Sequence, residues 1–341
     1  MFGKEAEAAG LTMQDVVTAY DQAYLATKQN KPWWRSFLPN AGWIVAIVFF
    51  FLLILQETFR KAVGELAEKL LRRIYRRTAG YKIFQKKALR NYKKALVKKY
   101  QHFKIPFRAE RDLDMGKIYI PIKIKGSDNS ELINDSDIID RFKRVVVTGA
   151  PGSGKSMLLK RLALSYALKP VQPQEKTPVL IDLRRFNEGE QSLVDHLIAT
   201  LAVNDFPNAA NYIDASLNDG TLLLLFDGLD EVANLRQGTG PTRRECVVRE
   251  IIDLLDEHED CPAIITCRTA VYRRDFDDIA ERTLEIVEFS DQQIQNFLMS
   301  WPEPPANKPI EQLITSLSER PAILALARNP LLLTIVAFLY T

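Results

Sequence analysis

The 341-residue chain has few cysteines and few histidines. Cys246, Cys261 and Cys267 lie in the second half without paired spacing, so the sequence indicates neither a disulfide framework nor a zinc site. The three histidines are isolated from one another and from the cysteines, and we assign them no chemistry. The lack of paired cysteines favours a reducing compartment. The apolar and charged fractions, 47% and 26%, argue against a wholly disordered chain.

Positive charge is concentrated in one block of the chain. The net charge is only +3, but Arg60–Lys104 contains sixteen Lys or Arg residues and two Glu. The block therefore carries +14, and the rest of the chain carries −11. The uncharged segment that comes before this basic block accounts for the position of the block.

That preceding segment is long and uncharged. Ser36–Gln56 contains 21 residues without a charge, including the dense apolar run Trp43–Leu55. A helix of this length spans roughly 30 Å, which matches a bilayer core. A cleaved signal peptide would lie closer to the start, and small residues rather than a charged segment would follow it. We therefore predict a retained transmembrane helix over residues 37–56. The alternative is a buried core helix, which the absence of a polar face disfavours.

The flanking charges predict the orientation of this helix. Four basic residues precede it, while seven lie between Arg60 and Arg77. The positive-inside rule places the C-terminal side in the cytoplasm. Residues 1–36 are then outside, with at most a short helix around Thr12–Thr27. The expected location is therefore a membrane, which the chain crosses once.

Two basic helices are predicted over the juxtamembrane residues 57–107. The first has apolar residues at helical spacing from Phe59 to Ile74. The second, Lys82–Tyr100, has Leu89, Tyr92, Leu96 and Tyr100 interleaved with eight Lys or Arg. Adhesion to anionic membrane lipid is the favoured function of these helices, because the predicted transmembrane anchor lies next to them. Nucleic-acid binding is the less favoured alternative, and packing on the next domain stays open for part of the segment.

A phosphate-binding loop follows the short β-type run Val145–Thr148. The sequence has the pattern G-x-x-x-x-G-K-[ST], formed by Gly149, Ala150, Pro151, Gly152, Ser153, Gly154, Lys155 and Ser156. Glycines let backbone N–H groups turn toward an anion, and the helix predicted from Met157 to Leu168 adds a positive dipole. Lys155 is predicted to reach the β- and γ-phosphates, and Ser156 to offer its hydroxyl to Mg²⁺. The loop and Met157 are the predicted nucleotide-binding residues.

Acidic residues follow a second apolar run, Leu222–Phe226. A continuous run of this kind is typical of a central parallel strand that is buried on both faces. Ligands bind at the carboxyl ends of such strands, so Asp227 is predicted to hold Mg²⁺ beside the phosphates. Asp230 and Glu231 are candidates to polarise the attacking water. A purely structural acidic turn is the alternative, which the phosphate loop upstream disfavours.

A third predicted strand, Ala263–Thr266, ends in Cys267 and Arg268. At the same edge of the sheet, Arg268 is placed to contact the γ-phosphate and to act in catalysis as a sensor of its presence. The alternative is that Arg268 pairs with a surface carboxylate.

These motifs resemble the NACHT family of signal-transduction NTPases. The most distinctive is L-L-L-L-F-D-G-L-D-E, in which an acidic pair trails the metal-binding acid. Further segments that are similar to the family are Pro178–Arg184, Ala263–Arg268, Phe289–Trp301, Asn329–Leu333 and, upstream, the predicted strand Lys117–Lys123. In the family the proline of the Asn-Pro motif packs on adenine, so the resemblance implies this role for Pro330.

The resemblance implies an α/β fold. A doubly wound parallel-sheet P-loop NTPase domain would occupy residues 108–289, and a small helical subdomain, residues 290–341, would cover the nucleotide. The five expected parallel strands are about Arg144–Thr148, Val179–Leu183, Leu222–Phe226, Ala263–Thr266 and Leu284–Glu288. The resemblance is to members of bacterial type, which implies a bacterial inner membrane as the location. Family members continue beyond this point into further domains, so we expect the helical subdomain to be truncated.

The resemblance also implies a function. ATP and ADP, bound with Mg²⁺, would stabilise different arrangements of the two parts. Slow hydrolysis would reset a signalling or defence switch, which would form a homo-oligomer on activation. The alternative is a continuously cycling membrane-bound ATPase motor, with Arg273 and Arg274 as candidate fingers. A purely structural nucleotide is disfavoured by the presence of the catalytic acids.

Overall fold

The computed structural model describes six residues between Gln14 and Tyr24, and then residues 82–103, 113–126, 132–172, 174–189, 191–234, 240–302 and 309–340. The chain divides into two compact units, Met1–Leu71 and Arg72–Thr341. The six described residues of the first unit are helical, in agreement with the short helix predicted there. The predicted transmembrane helix and the first predicted basic helix lie outside the described residues.

The second unit contains a mixed sheet with flanking helices. The described strands are β1 (His102–Phe103), β2 (Leu113–Asp114), β3 (Lys123–Gly126), β4 (Leu132–Asn134), β5 (Arg144–Gly149), β6 (Thr177–Asp182), β7 (Leu222–Asp227), β8 (Ala263–Arg268) and β9 (Arg282–Ile286). The described helices are α1 (Lys82–Tyr100), α2 (Met115–Ile118), α3 (Ile138–Arg141), α4 (Lys155–Leu168), α5 (Leu193–Val203), α6 (Ala210–Asn218), α7 (Arg243–Glu257), α8 (Asp291–Met299), α9 (Ile310–Ser318), α10 (Pro321–Ala327) and α11 (Pro330–Tyr340).

The main sheet has the strand order β4-β3-β9-β5-β8-β7-β6. The five strands from β9 to β6 are parallel, which confirms the predicted strands with bounds that differ by one or two residues. β3 pairs antiparallel with β9, and β4 pairs antiparallel with β3, so the sheet is not wholly parallel as predicted. Because β8 lies between β5 and β7, the end of β8 separates the phosphate loop from the acidic turn.

The strand predicted over Lys117–Lys123 is wrong for all but its last residue. α2 forms instead at the start of this segment, because Asp114 caps it by accepting a hydrogen bond from the Gly116 N–H at 2.7 Å. Pro121 has no N–H to donate to a sheet ladder. The ladder of β3 therefore begins at Lys123, beyond the proline.

Helix α1 has the bounds that the sequence predicts. Its apolar face belongs to the main core, where Ala88, Tyr92 and Leu96 are buried. The Tyr92 hydroxyl donates a hydrogen bond of 2.7 Å to the Pro178 carbonyl in β6. This face packs on the sheet domain, as one of the alternatives anticipated. Adhesion to lipid stays a prediction for the basic face.

Helices α8 to α11 form a smaller core next to the sheet. Its buried residues include Ile294, Phe297, Leu313, Leu333 and Ala337. In the part of the chain that the structure describes, no single helix is long and apolar enough to span a membrane. α10 and α11 pass that test only as a pair, and they are bent by 114°.

Candidate functional site

The predicted phosphate loop connects β5 to α4. β5 is buried along its whole length, and α4 begins at Lys155, so the loop lies at the C-terminal edge of the parallel strands. Gly152 and Gly154 have φ values of 74° and 99°, in the left-handed region that favours glycine. A Cβ on Gly152 would lie 2.8 Å from Asn329 Oδ1 and 2.9 Å from Leu331 Cβ. Gly152 is therefore required both by its backbone and by a close neighbour.

The Lys155 ammonium group is folded over the loop. Its Nζ donates hydrogen bonds of 2.8 and 2.9 Å to the carbonyls of Gly149 and Ala150. Burial lowers the pKa of Lys155, and the nearby Asp230 carboxylate acts in the opposite direction. The ammonium group therefore has neutral acceptors, and an anion in the loop would offer it a stronger, charged one.

Ser156 and Asp227 come together from α4 and β7. Ser156 Oγ donates to Asp227 Oδ1 at 3.0 Å, and Thr266 Oγ1 donates to the same oxygen at 3.0 Å. Burial raises the pKa of Asp227, while the two hydroxyl groups lower it. Hydroxyl and carboxylate oxygens are ligands of hard divalent cations, so these residues fit the Mg²⁺ that the fold implies. Thr266 was not predicted, although a polar residue in an apolar buried strand was a signal for it.

Arg268 is paired with one of the candidate catalytic acids. Its Nε lies 2.7 Å from Asp230 Oδ2, and its backbone N–H donates to Asp230 Oδ1 at 3.0 Å. The Asp230 side chain is only 6% exposed, and that of Arg268 is 49% exposed. The partner is thus a carboxylate, as the alternative required, but it is buried in the site rather than on the surface. Contact of Arg268 with a γ-phosphate stays a prediction.

Glu231 is held less tightly than Asp230. Its Oε2 lies 4.0 Å from Arg184 Nε, and its side chain is 43% exposed. The Glu231 carbonyl accepts a hydrogen bond from Asn187 Nδ2, and Asn187 Oδ1 accepts one from the Ala233 N–H. Asn187 therefore fixes the acidic turn from the connection that follows β6. Nothing in the local sequence distinguishes this asparagine from any other loop residue.

The helical subdomain contacts the phosphate loop directly. Asn329 Nδ2 donates to the Pro151 carbonyl at 2.8 Å, and the Leu331 N–H donates to the Gly152 carbonyl at 3.3 Å. Asn329 Oδ1 also accepts hydrogen bonds from the N–H groups of Leu331 and Leu332 in the first turn of α11. Asn329 thus caps the helix and binds it to the loop. The sequence indicated the motif but not this role.

A cavity of about 510 Å³ lies above the loop. The predicted site residues that line it are Pro151, Gly152, Ser153, Gly154, Lys155, Ser156, Met157, Asp227, Asp230, Glu231, Arg268 and Pro330. Gly149 and Ala150 do not line it, but their carbonyls hold Lys155. Apolar side chains also line the cavity and include Met115, Ile118, Ile120, Phe289 and Phe297. A cavity that combines apolar side chains for a base with a glycine loop and a lysine for phosphates suits a nucleotide.

A buried strand, a glycine loop and a helix that carries Lys155 and Ser156, with Asp227 at the end of a second strand, define a P-loop NTPase. Residues 143–304 match the NACHT domain, and this match supports the interpretation of the segment as a NACHT P-loop NTPase. The matched segment is just under half of the chain, and it ends before Asn329. No curated protein matches the chain.

Proposed function

We propose that the chain is a NACHT NTPase that binds ATP with Mg²⁺, hydrolyses it slowly and acts as a membrane-anchored switch in signalling or defence. The observation that carries this proposal is the pair of hydrogen bonds from Asn329 and Leu331 to the phosphate loop. Because the helical subdomain is bound to the loop that receives the phosphates, a change of nucleotide changes the contacts between the two parts. ATP and ADP then stabilise different arrangements, and the ATP arrangement forms the homo-oligomer.

The phosphate and base contacts divide between the two parts of the site. Lys155 and the loop N–H groups bind the phosphates, and Pro330 packs on the adenine base. Ser156 and Asp227 would hold Mg²⁺, which neutralises phosphate charge when bound. The geometry supports this assignment, since the Ser156 hydroxyl and the Asp227 carboxylate are 3.0 Å apart at the cavity.

The Arg268–Asp230 pair connects phosphate recognition to hydrolysis in this proposal. Asp230 satisfies Arg268 in the structure, so its carboxylate is not free to orient water. A γ-phosphate offers Arg268 a second anionic partner. When Arg268 turns to that partner, Asp230 is released to act with Glu231 on the attacking water. ADP has no γ-phosphate, so the pair persists with ADP.

A continuously cycling membrane-bound ATPase motor is the second candidate. Arg274 favours it, because its side chain is 83% exposed and its ion pair with Asp277 is long, at 3.8 Å. An exposed arginine is suited to enter the site of a neighbouring subunit and stabilise charge there. A motor needs sustained turnover, whereas a switch needs only an occasional reset.

Retained nucleotide and turnover distinguish these two functions. The full-length protein is purified without added nucleotide, its bound nucleotide is identified, and its steady-state hydrolysis of ATP is measured. A switch retains ADP and turns over well below about 1 s⁻¹, the lower end of ordinary enzyme turnover. A motor retains little nucleotide and turns over faster. Absence of both retention and turnover would contradict both proposals.

Loss of the Asn329 contact with the loop should release ADP faster. Asn329→Asp keeps the oxygen that caps α11 but removes the Nδ2 donor to Pro151. One hydrogen bond is worth about 1 kcal/mol, which predicts an ADP dissociation rate roughly five- to tenfold higher. Stopped-flow fluorescence with a labelled ADP measures this rate. An unchanged rate in Asn329→Asp and in Asn329→Ala would contradict the proposal that this contact couples the helical subdomain to the bound nucleotide.

Membrane anchoring is supported by the sequence, from the uncharged run over residues 37–56 and the basic residues after it. In a Cys246→Ser background, Gly10→Cys should react with an impermeant thiol reagent in intact cells, and Glu110→Cys should react only after lysis. The other two cysteines are buried, so their background labelling is low. The reverse labelling pattern would overturn the orientation, and protection of both positions would overturn the anchor.

A further inference from the structure

A second cavity lies at the opposite end of α4 from the phosphate loop. It has a volume of about 660 Å³ and is bounded by α1 on one side and by the end of α4 on the other. α4 begins at Lys155 and ends at Leu168, so the two cavities are separated by roughly 21 Å of helix. We call this second cavity the basic cleft. It is distinct from the nucleotide site.

The basic cleft has strong positive charge. Arg90, Lys94 and Lys98 line it from α1, one helical turn apart, and no Asp or Glu is among its described lining residues. None of these three cations forms an ion pair within the described parts of the chain. Like charges at this spacing repel one another. An anion in the cleft would relieve this repulsion.

Two further lysines give the cleft a fixed wall. Lys93 is only 4% exposed, and its Nζ donates a hydrogen bond of 3.1 Å to the Lys169 carbonyl just after α4. Lys169 Nζ is itself paired with Glu175 at 3.3 Å, so its charge is largely balanced. The exposed charge of the cleft therefore comes from Arg90, Lys94 and Lys98, while the buried Lys93 holds α1 against the end of α4.

The edge of the cleft is apolar. Leu168 is 63% exposed there, and Val97 and Val171 are half-buried beside it. A soluble polyphosphate would use the cations but has no need of an exposed leucine. Single-stranded nucleic acid favours aromatic platforms for its bases, and no Phe, Tyr or Trp is among the described lining residues. Cations beside an exposed leucine match a phospholipid, in which an anionic phosphate adjoins an acyl chain.

We propose that the basic cleft binds the phosphate headgroup of an anionic phospholipid, with Leu168 entering the apolar edge of the bilayer. The shared chemistry is a phosphate-bearing anion, and the membrane is its source. The proposal goes beyond the nucleotide switch and does not depend on it, because no residue of the cleft lines the nucleotide cavity. It also confines lipid adhesion to one side of α1.

Protection of a cysteine at the apolar edge tests this proposal. The full chain, with Leu168→Cys and Cys246→Ser, is combined with nanodiscs of phosphatidylcholine alone or with added phosphatidic acid. The rate of modification by a maleimide reagent is then measured. Phosphatidic acid should slow the modification at least tenfold. Val203→Cys is the matched control, because Val203 is 74% exposed but does not line the cleft, and its rate should not change.

Paired charge variants determine whether the cleft or the whole helix is responsible. Arg90→Gln with Lys94→Gln removes two cations of the cleft, and Lys86→Gln with Lys87→Gln removes two exposed cations of the same helix outside it. In the Leu168→Cys chain, the apparent affinity for phosphatidic acid, measured from the protection of the cysteine, should fall roughly 30-fold in the first pair and less than threefold in the second. Equal losses in the two pairs would overturn the proposal of a specific site.

Competition distinguishes the sources of phosphate. Inorganic phosphate or inositol hexakisphosphate that protects Leu168→Cys in neutral nanodiscs, while phosphatidic acid does not, would overturn the lipid source. Protection by single-stranded DNA alone would do the same. ATP binding is measured in every variant and should stay at the wild-type level, which shows that the domain is folded. A failure of lipid binding is thereby separated from a failure of the nucleotide switch.

Discussion

Lys155→Ala is expected to weaken ATP binding by about two orders of magnitude. The ammonium group already lies over the loop, where it donates to the carbonyls of Gly149 and Ala150. A charge-assisted hydrogen bond to phosphate is worth about 1.5–3 kcal/mol. Bonds to two phosphate groups, less the two carbonyl bonds that they replace, give a net loss of about 3 kcal/mol, or roughly 100-fold. Equilibrium binding of a fluorescent ATP analogue measures this loss.

Lys117→Ala is the matched control for this experiment. Lys117 is exposed on α2, between residues that line the cavity, but does not line it itself. Its variant should bind ATP within about twofold of the wild type, because an exposed charge contributes little. Lys155→Ala should also lower the free energy of unfolding by about 1–2 kcal/mol, as the loop carbonyls lose their partner. Wild-type affinity in Lys155→Ala would refute the assignment of the phosphate loop.

Combined replacement of Asp230 by Asn and Glu231 by Gln is expected to abolish hydrolysis while ATP still binds. The two amides preserve shape but cannot accept a proton from water. Asp230→Asn also removes the carboxylate partner of Arg268 at 2.7 Å, which frees the guanidinium for the γ-phosphate. Asp227 keeps its contact with Ser156, so the predicted metal ligands remain. The ATP-bound form should therefore accumulate.

The output of this double variant separates the switch from the motor. In a switch, the trapped ATP form should be more oligomeric and signal more strongly, whereas a motor should lose its output because work needs repeated turnover. Converting a population from 1% to 99% active requires about 5.5 kcal/mol of differential binding, so a partial gain still fits the switch. Oligomer mass and reporter output are measured in the full-length protein. A variant that binds ATP, fails to hydrolyse it and loses all signalling would refute the switch.

The two single variants identify which acid acts on water. Glu231 is 43% exposed and lies 4.0 Å from Arg184, so Glu231→Gln disturbs little else. Asp230→Asn breaks a partly buried ion pair and should destabilise the fold more, although the exposure of Arg268 limits the cost. If Glu231→Gln abolishes hydrolysis and Asp230→Asn does not, Glu231 acts on water and Asp230 acts mainly by holding Arg268.

Much of the fold could be predicted because its central strands are buried on both faces. β5 and β7 appear in the sequence as continuous apolar runs, and each leads directly into a polar motif. β3 and β4 have no such run: each has one fully buried residue, Ile124 and Ile133. β3 also pairs with β9, more than 150 residues away, and no local pattern shows a pairing of that range.

The candidate site divides in the same way. Lys155, Ser156 and Asp227 belong to motifs whose chemistry requires their residue types at fixed positions. Thr266, Asn187 and Asn329 contribute through hydrogen bonds to segments far along the chain, so their roles depend on the tertiary fold. The partner of Arg268 depends likewise on the adjacency of β8 to β7. Strand order was the missing information.

The closure of Asn329 and Leu331 over the phosphate loop would delay the release of bound nucleotide. A nucleotide that leaves by this side must wait until the bonds to Pro151 and Gly152 open together. In the proposed switch, the time for which ADP stays bound would then be set by the frequency of that opening, and not by affinity alone. A molecule that has hydrolysed its ATP would stay inactive for that interval. The rate of opening would thus limit how often one molecule can respond to a stimulus.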